Sequence, residues 1–102
     1  MDYDAFLSFH GVEFGLMEGT DGLLIVKTGS GGTIYGRENK YLTLATRIME
    51  RHNVSVMVSD NPLEIAPEEN MSTTMSVAAD YIASRNVVSS VFYFGVSKGG
   101  QY

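Results

Sequence analysis

Ser90-Val91-Phe92-Tyr93-Phe94-Gly95-Val96-Ser97-Lys98-Gly99-Gly100-Gln101-Tyr102 is the stretch that organises the rest of the sequence. An apolar run rich in β-branched and aromatic residues leads straight into Gly-x-Ser-x-Gly-Gly. That is the pattern of a buried strand that turns sharply and lifts a serine hydroxyl out of the turn. The glycines follow from the geometry: the backbone passes so close to the neighbouring strand and helix that side chains at Gly95 and Gly99 would clash, and glycine tolerates the unusual dihedrals. On this reading Ser97 is an exposed nucleophile. The plainer reading is a Gly/Ser-rich turn, a pattern that recurs by chance. The strand before it, and its place after two βα units, favour the sharp turn.

Working back from there, Val54-Ser55-Val56-Met57-Val58 reads as a parallel strand ended by Ser59-Asp60-Asn61-Pro62, because proline cannot donate to a central ladder. Between the two strands, Met71, Met75, Ala78, Ala79 and Ile82 form one stripe of a helix over 71–85, with Asn70 as its N-cap and Asn86 as its stop. The loop 63–70 carries Glu64, Glu68 and Glu69. With no histidine beside them, these read as a solvated acidic loop and not as a metal site. An earlier helix over 38–52 places Tyr41, Leu44, Ala45, Ile48 and Met49 at helical spacing. It opens on acidic Glu38, where the dipole favours it, and stops at Asn53.

Leu23-Leu24-Ile25-Val26-Lys27-Thr28 follows a Thr20-Asp21-Gly22 turn and has the continuous apolar start of a central parallel strand covered on both faces. Gly29-Ser30-Gly31-Gly32-Thr33 comes next, and its backbone N–H groups are free to point at negative charge. It fails the dinucleotide fingerprint, since Ile34 stands where the third glycine belongs, and it lacks the closing Gly-Lys-Ser/Thr of a phosphate loop. A flexible loop is the plainer alternative. The first strands, over 5–18, put Phe6, Ser8 and His10 on one face and Leu7 and Phe9 on the other. Gly11 marks either a hairpin turn or a bulge.

Antiparallel strands followed by β-loop-α-β-loop-α-β predict an α/β fold: a three-layer α/β sandwich, its sheet mostly parallel with antiparallel N-terminal strands. Ligands on such sheets sit at the carboxyl ends of the strands, and both Gly-rich segments, 29–33 and 95–100, fall there.

The 102 residues, 44% hydrophobic and 19% charged, suffice for one core. A net charge of −5, with Lys and Arg scattered, argues against nucleic acid or an anionic membrane as partner. No stretch is long and apolar enough to span a bilayer, and the acidic start Met1-Asp2-Tyr3-Asp4 is unlike a secretory signal, so a cytoplasmic location is expected. Absent cysteine excludes disulfides and thiolate metal sites. No metal and no cofactor is expected.

Together these residues resemble the N-terminal half of the α/β-hydrolase family: antiparallel first strands, Leu23-Leu24-Ile25-Val26, a glycine loop, helix, strand, helix, then the nucleophile elbow Gly95-Val96-Ser97-Lys98-Gly99-Gly100. The likeness covers essentially the whole chain but about half of a family domain. Residues 1–102 are therefore expected to be the N-terminal part of a single domain whose C-terminal half is absent.

The resemblance implies Ser97 as nucleophile, with an oxyanion hole made by the backbone N–H of Lys98 and that of Ser30 or, alternatively, Gly31. Thr28-Gly29 stands where many members have His-Gly. In the family the acid and the histidine follow the serine; His10, His52, Asp60 and Asp80 are not placed to replace them, and without a base Ser97 is a weak nucleophile. The implied parent is a serine hydrolase that cleaves an ester, thioester or amide of a small-molecule substrate, with this chain alone inactive. The alternative is a non-catalytic domain of the same fold used for binding or assembly. Anion or nucleotide binding by the two Gly loops is a third class, disfavoured by the failed fingerprints. Strand 91–96, apolar on both faces, is expected to be an exposed edge that pairs with another copy to give a homo-oligomer.

Overall fold

The continuous apolar stretches become the interior strands of a five-stranded sheet in a computed structural model that describes residues 2–85 and 90–95. β1 (Ala5–Phe9), β2 (Val12–Met17) and β3 (Leu23–Lys27) come first. A short 3-10 turn (Arg37–Asn39) then leads into α1 (Lys40–His52), β4 (Ser55–Ser59), α2 (Pro67–Arg85) and β5 (Val91–Gly95). The strand order is β1-β2-β4-β3-β5.

β3 lies parallel to β4 and β5, while β2 lies antiparallel to β1 and β4. The sheet is thus mixed, with two pairings of each kind, and not mostly parallel as expected. The cause is the N-terminal hairpin, whose return strand β2 joins β4 running against it. Phe9 pairs with Val12 across His10 and Gly11, whose φ values are +50° and +79°. Two consecutive residues with positive φ make the tight turn whose twist matches the flanking strands, so the hairpin is realised and the bulge is not.

Side chains alternate along β3 and β4 and so serve two cores. Val26, Val56 and Val58 pack with Tyr41, Leu42 and Ala45 of α1. Leu23, Ile25 and Met57 pack with Val77, Ala78 and Tyr81 of α2 and with Phe14 of β2. α1 stops as expected, at Asn53 in the left-handed conformation, its N–H donating to the Met49 carbonyl at 2.8 Å. It begins later than 38, because Glu38 and Asn39 hold φ of +55° and +57°.

α2 departs further from expectation. Pro67 opens it, its fixed φ suiting a first turn, so Glu68 and Glu69 lie inside the helix near its positive end. Asn70 is a buried interior residue and not a cap. The inward face is Asn70, Thr74, Val77, Ala78 and Tyr81, while Met75 and Ala79 are exposed. The expected stop at Asn86 lies outside the described residues.

β5 occupies the outer edge beyond β3, where Val91, Phe92, Tyr93 and Phe94 are between 41% and 57% exposed. Among the described residues no helix is long and apolar enough to cross a membrane.

Candidate functional site

Three strand ends converge on the glycine loop. The register sets Lys27 opposite Ser59 of β4 on one side and Gly95 of β5 on the other. Loop 28–33 therefore leaves the sheet from the strand that lies between β4 and β5. Its amides are mostly committed. Gly29 N–H donates to the Tyr41 hydroxyl (3.2 Å), Gly31 N–H to the Asn61 carbonyl (2.8 Å) and Gly32 N–H to the Gly29 carbonyl (2.7 Å). Asn61 N–H returns a bond to the Gly32 carbonyl at 3.1 Å. Gly31 takes part in this clamp at φ +75°, where a side chain would be strained. Of the amides from Gly29 to Gly32, only that of Ser30 makes no hydrogen bond among the described residues. A cleft of about 540 Å³ opens over the loop, walled by Ser30, Arg37, Lys40, Tyr41 and Leu63.

Beneath the loop lies a polar cluster to which the motifs gave no role. Lys27 is 1% exposed, and its Nζ shares its protons among four acceptors: Ser59 Oγ (3.0 Å), the Asp60 carbonyl (2.6 Å), Thr74 Oγ1 (3.1 Å) and Asn70 Oδ1. Asn70 Nδ2 donates to Asn61 Oδ1 at 2.9 Å, and Asn61 Nδ2 to the Thr28 carbonyl at 3.0 Å. Burial pushes the Lys27 ammonium down to about 8, opposed by the Asp60 carboxylate. The one available sign in the sequence was a lysine at the end of an otherwise apolar central strand. A charge in that position needs acceptors around it, and α2 supplies two of them, in Asn70 and Thr74.

Asn61→Ala removes the links to both Asn70 and Thr28. With each buried polar group left unpaired costing about 1–3 kcal/mol, the expected loss of unfolding free energy is about 2 kcal/mol, measured by urea denaturation.

No family model matches the chain, and no curated protein does. Among solved structures, Est1E from Butyrivibrio proteoclasticus is similar, with a TM-score of 0.68 at 17% sequence identity, covering 94% of this chain and 41% of that one. The fold is α/β-hydrolase-like. The chain spans 41% of the length of that structure.

On this α/β-hydrolase-like sheet, the residues singled out from the sequence fall as follows. Ser97 and Lys98 lie outside the described residues; the described chain reaches Gly95. Ser30 and Gly31 both sit in the loop beside β5, Ser30 with its amide free and Gly31 with its amide held by Asn61. His10, in the hairpin turn, His52, in the last turn of α1, and Asp80, on α2, are all exposed. Asp60 Oδ1 accepts the Glu13 N–H at 2.9 Å, and burial holds its carboxyl above the usual range despite that bond. The partner bonds that distinguish Ser30 from Gly31 come from Asn61, some thirty positions downstream, which no local pattern shows.

Proposed function

We propose that residues 1–102 are the N-terminal part of a serine hydrolase domain that cleaves an ester, thioester or amide by acyl transfer through Ser97. One juxtaposition supports this most strongly. β5 ends at Gly95 opposite Lys27, two positions before Ser97 in the sequence, and Lys27 leads directly into the loop with the free Ser30 amide. In this reading Ser97 Oγ attacks the carbonyl carbon of the substrate, and the N–H groups of Ser30 and Lys98 meet the charge developing on its oxygen. The base and the acid belong to later strands of a longer parent, and the two helices become the flanking layers of a three-layer sandwich.

The test is a fluorophosphonate probe read by peptide mass spectrometry. In the longer parent, labelling is expected at Ser97 and is lost in Ser97→Ala; the chain alone, folded by circular dichroism, is expected to stay unlabelled, since a serine without a base is a weak nucleophile. Equal labelling of the parent and its Ser97→Ala variant would sink the assignment.

The β5 edge supports a proposal about partners. Its four large side chains are about half exposed, and an unprotected apolar edge strand is a template for another strand. The chain by itself is expected to dimerise by β5–β5 pairing, and sedimentation velocity across a concentration series reads this out. Lysines at Phe92 and Phe94, which share one face, should return it to monomer; a wild-type chain that stays monomeric throughout overturns the proposal.

A further inference from the structure

We infer that Lys27 is a positioning residue for loop 28–32: through Asn70 and Asn61 its ammonium fixes the orientation of the loop that carries the Ser30 amide. The inference rests on the reading above only in calling that amide an oxyanion donor.

The argument turns on donors and acceptors. An ammonium has three protons to give and nothing that accepts. It therefore selects Oδ1 of Asn70, which turns Nδ2 of Asn70 toward Asn61. That in turn leaves Asn61 Oδ1 as the acceptor and sends Asn61 Nδ2 to the Thr28 carbonyl. The Asn61 backbone then clamps the loop from both sides, accepting from Gly31 and donating to the Gly32 carbonyl. The cation thus agrees with the Thr28 carbonyl on one sense for the side-chain bonds that run from Lys27 through Asn70 and Asn61 to the loop. A neutral amine carries a lone pair and one proton fewer, so loss of the proton weakens the hold on Asn70 Oδ1 and leaves Asn61 tied at its far end to the Thr28 carbonyl alone.

The surroundings isolate this cation. α2 presents the uncharged Asn70 and Thr74, β4 presents Ser59, and Gly95 of β5 opposes Lys27 with no side chain. The charged group acting on Lys27 is Asp60, itself influenced by Glu13 and Glu64. Burial in this setting brings the ammonium's titration to about 8, so the hold weakens as pH rises through that value.

The chain has three lysines, at 27, 40 and 98, which makes direct observation practical in a sample with 13C-labelled lysine and 15N-labelled backbone. The expected result is a Lys27 Cε resonance titrating near pH 8, with the Ser30, Gly31 and Asn61 amide resonances shifting at the same midpoint. Lys27→Met should abolish the amide titration. Asn70→Leu keeps the lysine and cuts the relay, so there Lys27 still titrates while Ser30 and Gly31 no longer follow; this variant carries the test if Lys27→Met does not fold. Loop amides that ignore the Lys27 titration in the wild type, or that still follow it in Asn70→Leu, overturn the inference. Failure of Ser97 to label in the parent removes the hydrolase reading and leaves this result intact.

Discussion

Phe14→Ala is expected to lower the unfolding free energy by about 3–5 kcal/mol, a large share of what holds a small domain together. Phe14 is fully buried, pairs with Leu7 on one side and Ser59 on the other, and packs in the core that joins β2 to Ile25, Met57 and Val77. Its loss removes apolar area from the core and leaves a cavity at the seam between the hairpin and the parallel strands, where backbone pairing on both sides limits collapse. Phe6, on β1, provides the contrast: at 52% exposed, its replacement by alanine should cost less than about 1 kcal/mol. Urea denaturation followed by circular dichroism checks both, and a comparable loss at the two positions would mean that the hairpin contributes through its surface as much as through the core.

The second large effect is a stability maximum on the alkaline side of neutrality. The Lys27 ammonium titrates at about 8 in the folded chain against 10.5 when free. Between those values the unfolded chain holds more protons, so unfolding free energy rises with pH, by at most about 1.4 kcal/mol per pH unit for one group. Below pH 8 the penalty of the buried charge is present in full. Tyr3 sets the upper limit. Its hydroxyl donates to the Ile34 carbonyl at 2.5 Å, and burial raises its titration well above the usual 10.0. The unfolded chain loses that proton first, so stability declines once pH passes about 10. Urea midpoints measured from neutral to strongly alkaline pH should therefore rise and then fall, and Lys27→Met should flatten the rise. A steady decline from neutrality would contradict the burial of Lys27. Local and global readouts move in opposite senses here: losing the proton weakens the Lys27 hold on Asn70 while it relieves the folded chain of a buried charge.

The parts of the fold that showed in the sequence were those where apolar spacing and burial coincide. β3 and β4 are unbroken or nearly unbroken apolar runs covered on both faces, and α1 keeps Tyr41 and Ala45 inward with Asn53 closing it. The α2 stripe was read correctly at Ala78 and Ile82 but not in the first half of the helix, where apolar periodicity selects Met71 and Met75 whereas the inner face is Asn70 and Thr74. Those two are polar because they answer Lys27, a requirement from another strand that helix periodicity cannot express. The glycine loop showed by composition. Which of its amides is free did not, since Tyr41 and Asn61 decide that from distant elements. The hairpin stayed undecided because His10 gives no hint of a positive φ.

The strand order also dictates a sequence of assembly. Leu23 and Val91, partners in the β3–β5 ladder, are 68 positions apart, with α1, β4 and α2 between them. As the chain is synthesised, β3 and β4 can pair and receive both helices while the other edge of β3 is still bare. β5 then docks by closing a long loop, the slow kind of contact in a folding reaction. The glycine loop can thus be seated on the other four strands before β5 pairs with β3. A nascent chain halted just short of Val91 should already hold both helices while displaying an unpaired β3 edge, the surface on which a chaperone would act.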